Sequence, residues 1–344
     1  MPRRHRTSDF EYEYPPEAIA QRPLSDRSAS RLMVVNRATG SVEHRSFGSF
    51  PSLTRPGDVL VLNVSRVMKA RLRGLRENGR EAEILLTSLT DDGTWLAMVH
   101  PGGKLKVGRK VRFGEDAVGE IVEVVGGGLR RIRLSGSLTG TELMERYGSV
   151  PLPPYIHRAP EVSDEASYQT VYATEDGSVA APTAGLHFTE RTLAQLSEHG
   201  VATAEVLLHI GPGTFKPVQT DDPANHRMHA EWYSVSEAAA ELVRRARQSG
   251  NRVWAVGTTS ARVLEALGAS GGVRAFSGWT DLFIRPPYQF QIVDALLTNF
   301  HLPRSTLLML VAAFAGYDTT MNSYQEAIAR GYRLYSYGDA MAIV

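Results

Sequence analysis

The 344-residue chain contains no cysteine. Disulfides, thiolate zinc sites, iron–sulfur clusters and a cysteine nucleophile are therefore excluded. Long apolar runs are missing as well. The most hydrophobic window, 306–316, is shorter than the roughly 20 residues a bilayer requires. It lies between Arg304 and Asp318, so a buried helix is expected there and no membrane association. The basic start, Met1-Pro-Arg-Arg-His-Arg, leads into Asp9-Phe-Glu-Tyr-Glu-Tyr, so no signal peptide is expected and the cytoplasm is the expected compartment. Gly-x-Gly-x-x-Gly after a strand, the P-loop and His-Glu-x-x-His are absent too. Their absence disfavours dinucleotide, nucleoside triphosphate and zinc-protease chemistry.

Net charge is small, +1, but unevenly spread. Between Arg66 and Val150 there are 15 Lys and Arg against 11 Asp and Glu, while the rest has 23 against 26. Arg66, Lys69, Arg71 and Arg73 form one basic cluster, and Lys104 and Lys106 open a second. Such clusters can contact nucleic acid, although charge runs are more often solvated faces.

What is present divides the chain in two. Over 67–149, short alternating segments at 70–75, 81–86, 95–99, 111–113, 117–125 and 129–134 are separated by glycine-rich turns. That spacing predicts a small antiparallel barrel, inserted into a discontinuous domain made of 1–66 and 150–344. The flanking parts read as mixed α/β. Strands are expected at 31–35, 59–62, 201–210, 252–257, 279–284 and 332–337, and helices after Thr189 and Ser236, over 261–267, 306–314 and 324–330.

Candidate chemistry sits in turn-rich loops. The stretch 178–189 offers Thr183, Gly185, His187, Phe188 and Thr189; the stretch 209–215 offers His209, Gly211, Gly213, Thr214 and Phe215. A third junction, Gly257-Thr258-Thr259-Ser260, opens a helix that carries Arg262, and Asn299-Phe-His301-Leu-Pro closes another loop. His187, His209, His229 and His301 are candidate bases or donors near neutral pH, with Glu231 and Asp281 as carboxylates beside them. His226-Arg-Met-His229-Ala-Glu231 invites a metal reading, but no third ligand motif accompanies it, so no metal is expected. Phe188, Phe215 and Trp279 are either core residues or stacking surfaces.

With these segments in view, the chain resembles the S-adenosylmethionine:tRNA ribosyltransferase-isomerase family of queuosine synthesis. The resemblance runs nearly end to end. It is carried by Ile19-Ala-Gln-Arg-Pro23, Tyr147-Gly-Ser-Val-Pro-Leu-Pro-Pro-Tyr-Ile156, 178–190, 209–215, Met228-His229 with Glu231, Gly257-Thr-Thr-Ser260, Trp279-Thr-Asp281 and Thr298-Asn-Phe-His-Leu-Pro303. It implies an α/β domain interrupted by a six-stranded β-barrel. The implied reaction moves the ribosyl part of S-adenosylmethionine onto 7-aminomethyl-7-deazaguanine at the wobble position of a tRNA with a GUN anticodon, giving epoxyqueuosine-tRNA with loss of adenine and methionine. S-adenosylmethionine is then a consumed substrate, no resident cofactor is needed, and a monomer is expected.

Within that resemblance His187, His229, Glu231 and Asp281 are the catalytic candidates. Thr183, Gly185, Phe188, Thr189, His209, Gly211, Gly213, Thr214, Phe215, Thr258, Thr259, Ser260, Arg262, Asn299 and His301 are candidate substrate contacts. Amides of 257–260, or of the helix opened by Thr189, are candidates for the methionine carboxylate. Arg66, Lys69, Arg71, Arg73, Lys104 and Lys106 are candidate tRNA contacts. The chain departs from the family pattern at Val64, Lys69, His100 and Pro287. Two other readings differ in acceptor or in class: transfer to another RNA or a small amine, and a non-catalytic RNA-binding protein.

Overall fold

The computed structural model describes residues 4–211, 213 and 217–344. The chain begins with β1 (Arg31–Val35), β2 (Val42–Ser46), β3 (Val59–Asn63) and β4 (Ser65–Val67). It then runs through β5 (Arg71–Arg76), β6 (Glu81–Leu89), β7 (Trp95–His100), β8 (Lys110–Phe113), β9 (Ala117–Gly126) and β10 (Leu129–Gly136). Helix α1 (Gly140–Tyr147), β11 (Gly148–Ser149), α2 (Val162–Ser167) and β12 (Glu175–Ser178) lead back. Next come α3 (Glu190–Glu198), β13 (Ala202–Leu208), β14 (Glu231–Val235), α4 (Glu237–Gln248), β15 (Val253–Val256) and α5 (Gly257–Ala269). The chain ends with β16 (Phe276–Thr280), β17 (Ala295–Asn299), α6 (Thr306–Ala315), α7 (Tyr317–Ala329) and β18 (Ala340–Ile343).

Nine strands form one mixed sheet in the order β16-β14-β13-β3-β15-β17-β18-β1-β2. Its central strands β13, β3, β15 and β17 are mutually parallel. Their sequences are apolar almost throughout because both faces are covered. Val59 and Val61 enter one core while Leu60 and Leu62 enter the other, and Val253 and Ala255 alternate with Trp254 and Val256 in the same way. Helices α4 to α7 supply the first core; α3, Phe47, Phe50 and Phe188 supply the second. The period of two in each strand thus places helices on both sides.

Strands β5, β6, β7, β10, β9 and β8 pair antiparallel in that order, and β5 pairs with β8 to close a ring of six. Inside it lie Leu72, Ile84, Ala97, Val111, Phe113, Ile121 and Ile132. The ring is entered from β4 and left through β11, which pairs with β5. Lys69 ties it to the body, its ammonium 3.4 Å from Glu145 and 2.9 Å from Glu165.

The structure departs from the sequence reading in several places, and β14, β17 and α2 were not expected at all. Residues 332–337 were expected as a strand, but Tyr335 takes φ 69° and only Leu334 bridges to Ile19; the terminal strand is β18. A left-handed residue cannot continue a ladder. Helix α1 was not expected, although Thr139 and Glu142 form a reciprocal capping box at its start. Strand β16 lies earlier than the expected 279–284.

Gly74 in β5 lies where β5 meets β8 to close the ring: a Cβ there would stand 2.6 Å from the Arg112 carbonyl oxygen and 2.7 Å from Val111 Cγ1. Gly74→Ala is expected to push β8 away and destabilise the protein by about 1–3 kcal/mol. A urea midpoint equal to that of the parent protein would show that the ring absorbs the methyl group.

Candidate active site

The parallel strands end on one edge of the sheet, and the loops that leave that edge carry most of the polar residues singled out above. Asn63 and Ser65 follow β3, His209 and Gly211 follow β13, Thr258 and Thr259 follow β15, and Asn299 and His301 close β17. Strand β14 runs antiparallel to β13, so its first residue, Glu231, reaches the same edge. Ligands in open α/β sheets bind outside the carboxyl ends of the strands. The ring springs from this edge through β4 and faces it.

Three hollows meet here. One of about 450 Å³ lies between Met68, Trp95 and Met98 on the ring side and His209, Trp232 and Trp279 on the body. A second, about 510 Å³, shares Gly127, Gly213, His229 and Glu231 with it and adds Arg262. The third, about 50 Å³, is deeper and is bordered by Thr183, Thr258, Thr259, Asn299 and His301.

Glu231 and Arg262 are both buried, and they form an ion pair between Oε2 and Nη1. The second carboxylate oxygen, Oε1, accepts from the Gly211 amide at 2.9 Å. Arg262 Nε donates to the Leu282 carbonyl at 3.2 Å, and Nη2 has no partner among the described residues. Both oxygens of Glu231 are thus occupied, and the carboxylate ties the Gly211 amide to Arg262.

His229 is exposed and lines both larger hollows. A Cβ at Gly213 would come within 2.9 Å of its Cδ2, so a side chain there would displace the imidazole. His209 stacks on Trp232 with ring centroids 5.5 Å apart, and its Nδ1 lies 3.1 Å from Ser65 Oγ. Burial lowers its pKa against the opposing pull of Glu175. Gly177, at φ 146°, leaves the space this ring fills.

His187 is wholly enclosed and hydrogen-bonded at both nitrogens. Asn299 Nδ2 donates to its Nε2 at 3.1 Å and to the Tyr335 carbonyl at 3.2 Å. That fixes the proton on Nδ1, which donates to Ser30 Oγ at 2.8 Å; Ser30 in turn donates to the Arg27 carbonyl. Burial, with Arg27 and Arg333 nearby, brings its pKa down to about 3. His301 is buried too, its Nε2 2.7 Å from Thr298 Oγ1, and burial alone brings it to about 3. Each ring is neutral at working pH.

The remaining candidates scatter. Phe188 is core, packed edge-on against Phe47 and Phe50. Thr189 caps α3 by accepting from the Thr192 amide at 3.1 Å. Gly185 lies against Tyr172. Ser260 is buried in the first turn of α5. Asp281 is exposed just beyond β16, near Trp279, whose indole is 66% exposed at the rim. Thr214 and Phe215 lie outside the described residues.

Of the basic residues, Arg66 donates to the Ala173 carbonyl and Arg71 to the Leu152 carbonyl, and Lys69 holds its two glutamates. Arg73, Lys104 and Lys106 are exposed. Trp232, Met68, Trp95 and Met98 were not singled out beforehand. Trp232 alternates with core residues of β14, which gave no sign that it faces a cleft.

A family model described as queuosine biosynthesis protein matches residues 7–343. The S-adenosylmethionine:tRNA ribosyltransferase-isomerase of Symbiobacterium thermophilum is 51% identical over 98% of this chain and 100% of its own. The protein of that name from Desulfitobacterium hafniense is 48% identical over 98% and 99%. Among solved structures, the S-adenosylmethionine tRNA ribosyltransferase of Thermotoga maritima is 39% identical, covers 98% of this chain and 100% of its own, and superposes with a TM-score of 0.58.

The buried histidines set a pH dependence. Their folded pKa values of about 3 lie below the ordinary imidazole value of 6.5, so the unfolded chain binds more protons between those limits. Stability is full above about pH 6.5 and falls on acidification, by up to about 1.4 kcal/mol per pH unit for each histidine. His187→Gln is expected to flatten the decline between pH 6.5 and 4.5 in urea unfolding. An unchanged slope would show that His187 takes up its proton in the folded state.

Proposed function

The chain belongs to the queuosine biosynthesis protein family, and from that premise we propose how its cleft works as an S-adenosylmethionine:tRNA ribosyltransferase-isomerase. The enzyme transfers and isomerises the ribosyl moiety of S-adenosylmethionine onto the 7-aminomethyl-7-deazaguanine of tRNA, with loss of adenine and methionine. The observation that carries this is 51% identity with a named relative over that protein's entire length.

The proposed division of labour follows the geometry. Residues 1–66 and 150–344 form the catalytic domain, and 67–149 form a six-stranded barrel whose cleft-facing side and exposed Arg73, Lys104 and Lys106 meet tRNA. The two larger hollows are each of the size that small-molecule sites have; together they leave room for donor and acceptor base side by side. A sulfonium acidifies the C–H bonds next to it, so a positioned base can start the rearrangement. Among the candidates His229 fits this role best, being exposed and common to both hollows. Glu231, bound to Arg262 and the Gly211 amide, orients the loop. His187 acts through Asn299. Trp279 at the rim offers a face to a base that leaves its stack. The reading includes a tRNA with a GUN anticodon, a monomer, the cytoplasm and no resident cofactor.

The test is incubation with S-adenosylmethionine and tRNA carrying the aminomethyl-deazaguanine. Free adenine and a heavier tRNA nucleoside are expected, and neither with tRNA carrying guanine at the wobble position. Adenine release with guanine-bearing tRNA, or with a small amine alone, would move the acceptor elsewhere. A complete lack of release with tRNA retained would support a binding protein instead. His229→Gln is expected to lower kcat by about 100-fold or more, the scale of a lost general base, while tRNA affinity stays unchanged. A kcat within twofold of the parent enzyme would remove His229 from the mechanism.

A further inference from the structure

The unpartnered arm of Arg262 is the feature of the cleft that the proposed chemistry leaves unused. The guanidinium is 5% exposed, and its Nε and Nη1 are committed to Leu282 and Glu231. Its Nη2 is buried with no acceptor among the described residues. A buried cationic donor left without a partner costs free energy that a matching anion would recover.

The hollow bordered by Arg262 is also lined by Gln219, His226, Arg227 and His229. Among the described residues its one acidic lining residue is Glu231, already paired with Arg262 itself. A ligand group seated there therefore meets donors and cationic side chains, with no unpaired carboxylate to repel it.

We propose that Arg262 Nη2 binds the carboxylate of the amino-acid arm of S-adenosylmethionine, so that the 510 Å³ hollow is the donor's amino-acid subsite. This rests on the ribosyl-transfer reading above. The small cavity at the start of α5 is a poorer home for that arm, since its 50 Å³ is about a tenth of the 510 Å³ beside Arg262. A backbone phosphate of tRNA is also a poorer match, because a polymer cannot thread its anion onto a guanidinium that is 5% exposed, whereas a flexible arm can. Binding the carboxylate here would point the sulfonium towards the space shared with His229 and Gly213.

Calorimetric titration with S-adenosylmethionine and with decarboxylated S-adenosylmethionine tests the assignment, since the two ligands differ only in the group at issue. The parent enzyme is expected to prefer the carboxylated ligand by about 10- to 100-fold, the scale of a hydrogen bond between charged groups. Arg262→Met is expected to reduce that preference to about twofold or less, chiefly by weakening S-adenosylmethionine. The variant leaves Glu231 buried without its partner, so Glu231→Gln/Arg262→Met is titrated alongside it as a neutral pair that keeps the fold. Equal losses for both ligands in the variants, or no preference in the parent enzyme, would overturn the proposal. Adenine release from tRNA-bound reactions, measured on the same parent enzyme, separates the two failures. Release without preference sinks the subsite alone, whereas neither binding nor release sinks the ribosyl-transfer reading with it.

Discussion

The buried ion pair between Glu231 and Arg262 is the constraint on which the cleft depends. Three segments far apart in sequence converge on it: the start of β14, the second turn of α5 and, through the Gly211 amide, the loop after β13. The Leu282 carbonyl adds the segment after β16. Removing one partner of such a pair strands a charge in low dielectric, a loss of about 3–5 kcal/mol. Replacing both by well-packed apolar groups is often harmless to stability, so the pair is better explained by what it positions than by what it stabilises. It keeps the glycine loop beside His229 and holds Arg262 in the lining of the hollow.

Sheet topology explains why most of the polar candidates gather there. Four parallel strands release their chains at one edge, and the antiparallel β14 begins at the same edge. The six-stranded ring leaves the body from the end of β3 through β4, so it starts at that edge. The ring therefore supplies one wall of the cleft through Met68, Trp95 and Met98 while the body supplies the other. Flexibility at the connection is limited by the β12–β4 pairing and by Lys69 held between Glu145 and Glu165.

Much of this was legible in the sequence. The alternating segments between 70 and 134 marked all six ring strands, because a strand with one face inside a closed ring must alternate. Ser236 and Thr189 marked helix starts through their hydroxyls, each of which accepts an amide of the first turn. The stretch 332–337 misled, since its aromatic residues suit a strand, yet Tyr335 turns left-handed to pack against Tyr14 and Tyr155. Burial of individual polar residues was not legible. Nothing local distinguishes His187, enclosed by Ser30 and Asn299, from His229, open to both hollows, because contacts 112 and 157 residues away decide the difference. Likewise Arg66, Lys69 and Arg71 read as a basic run in the sequence, which gave no sign that each also holds a contact at the joint between ring and body.

The central claim is spatial: donor chemistry takes place between the ring and the carboxyl edge of the sheet, beside His229 and the Glu231–Arg262 pair. Its most direct test is a crystal structure of the protein with S-adenosylhomocysteine. The account predicts ligand density spanning the hollows that share Gly213, His229 and Glu231. Density confined to another surface, with these hollows holding only solvent, would contradict it.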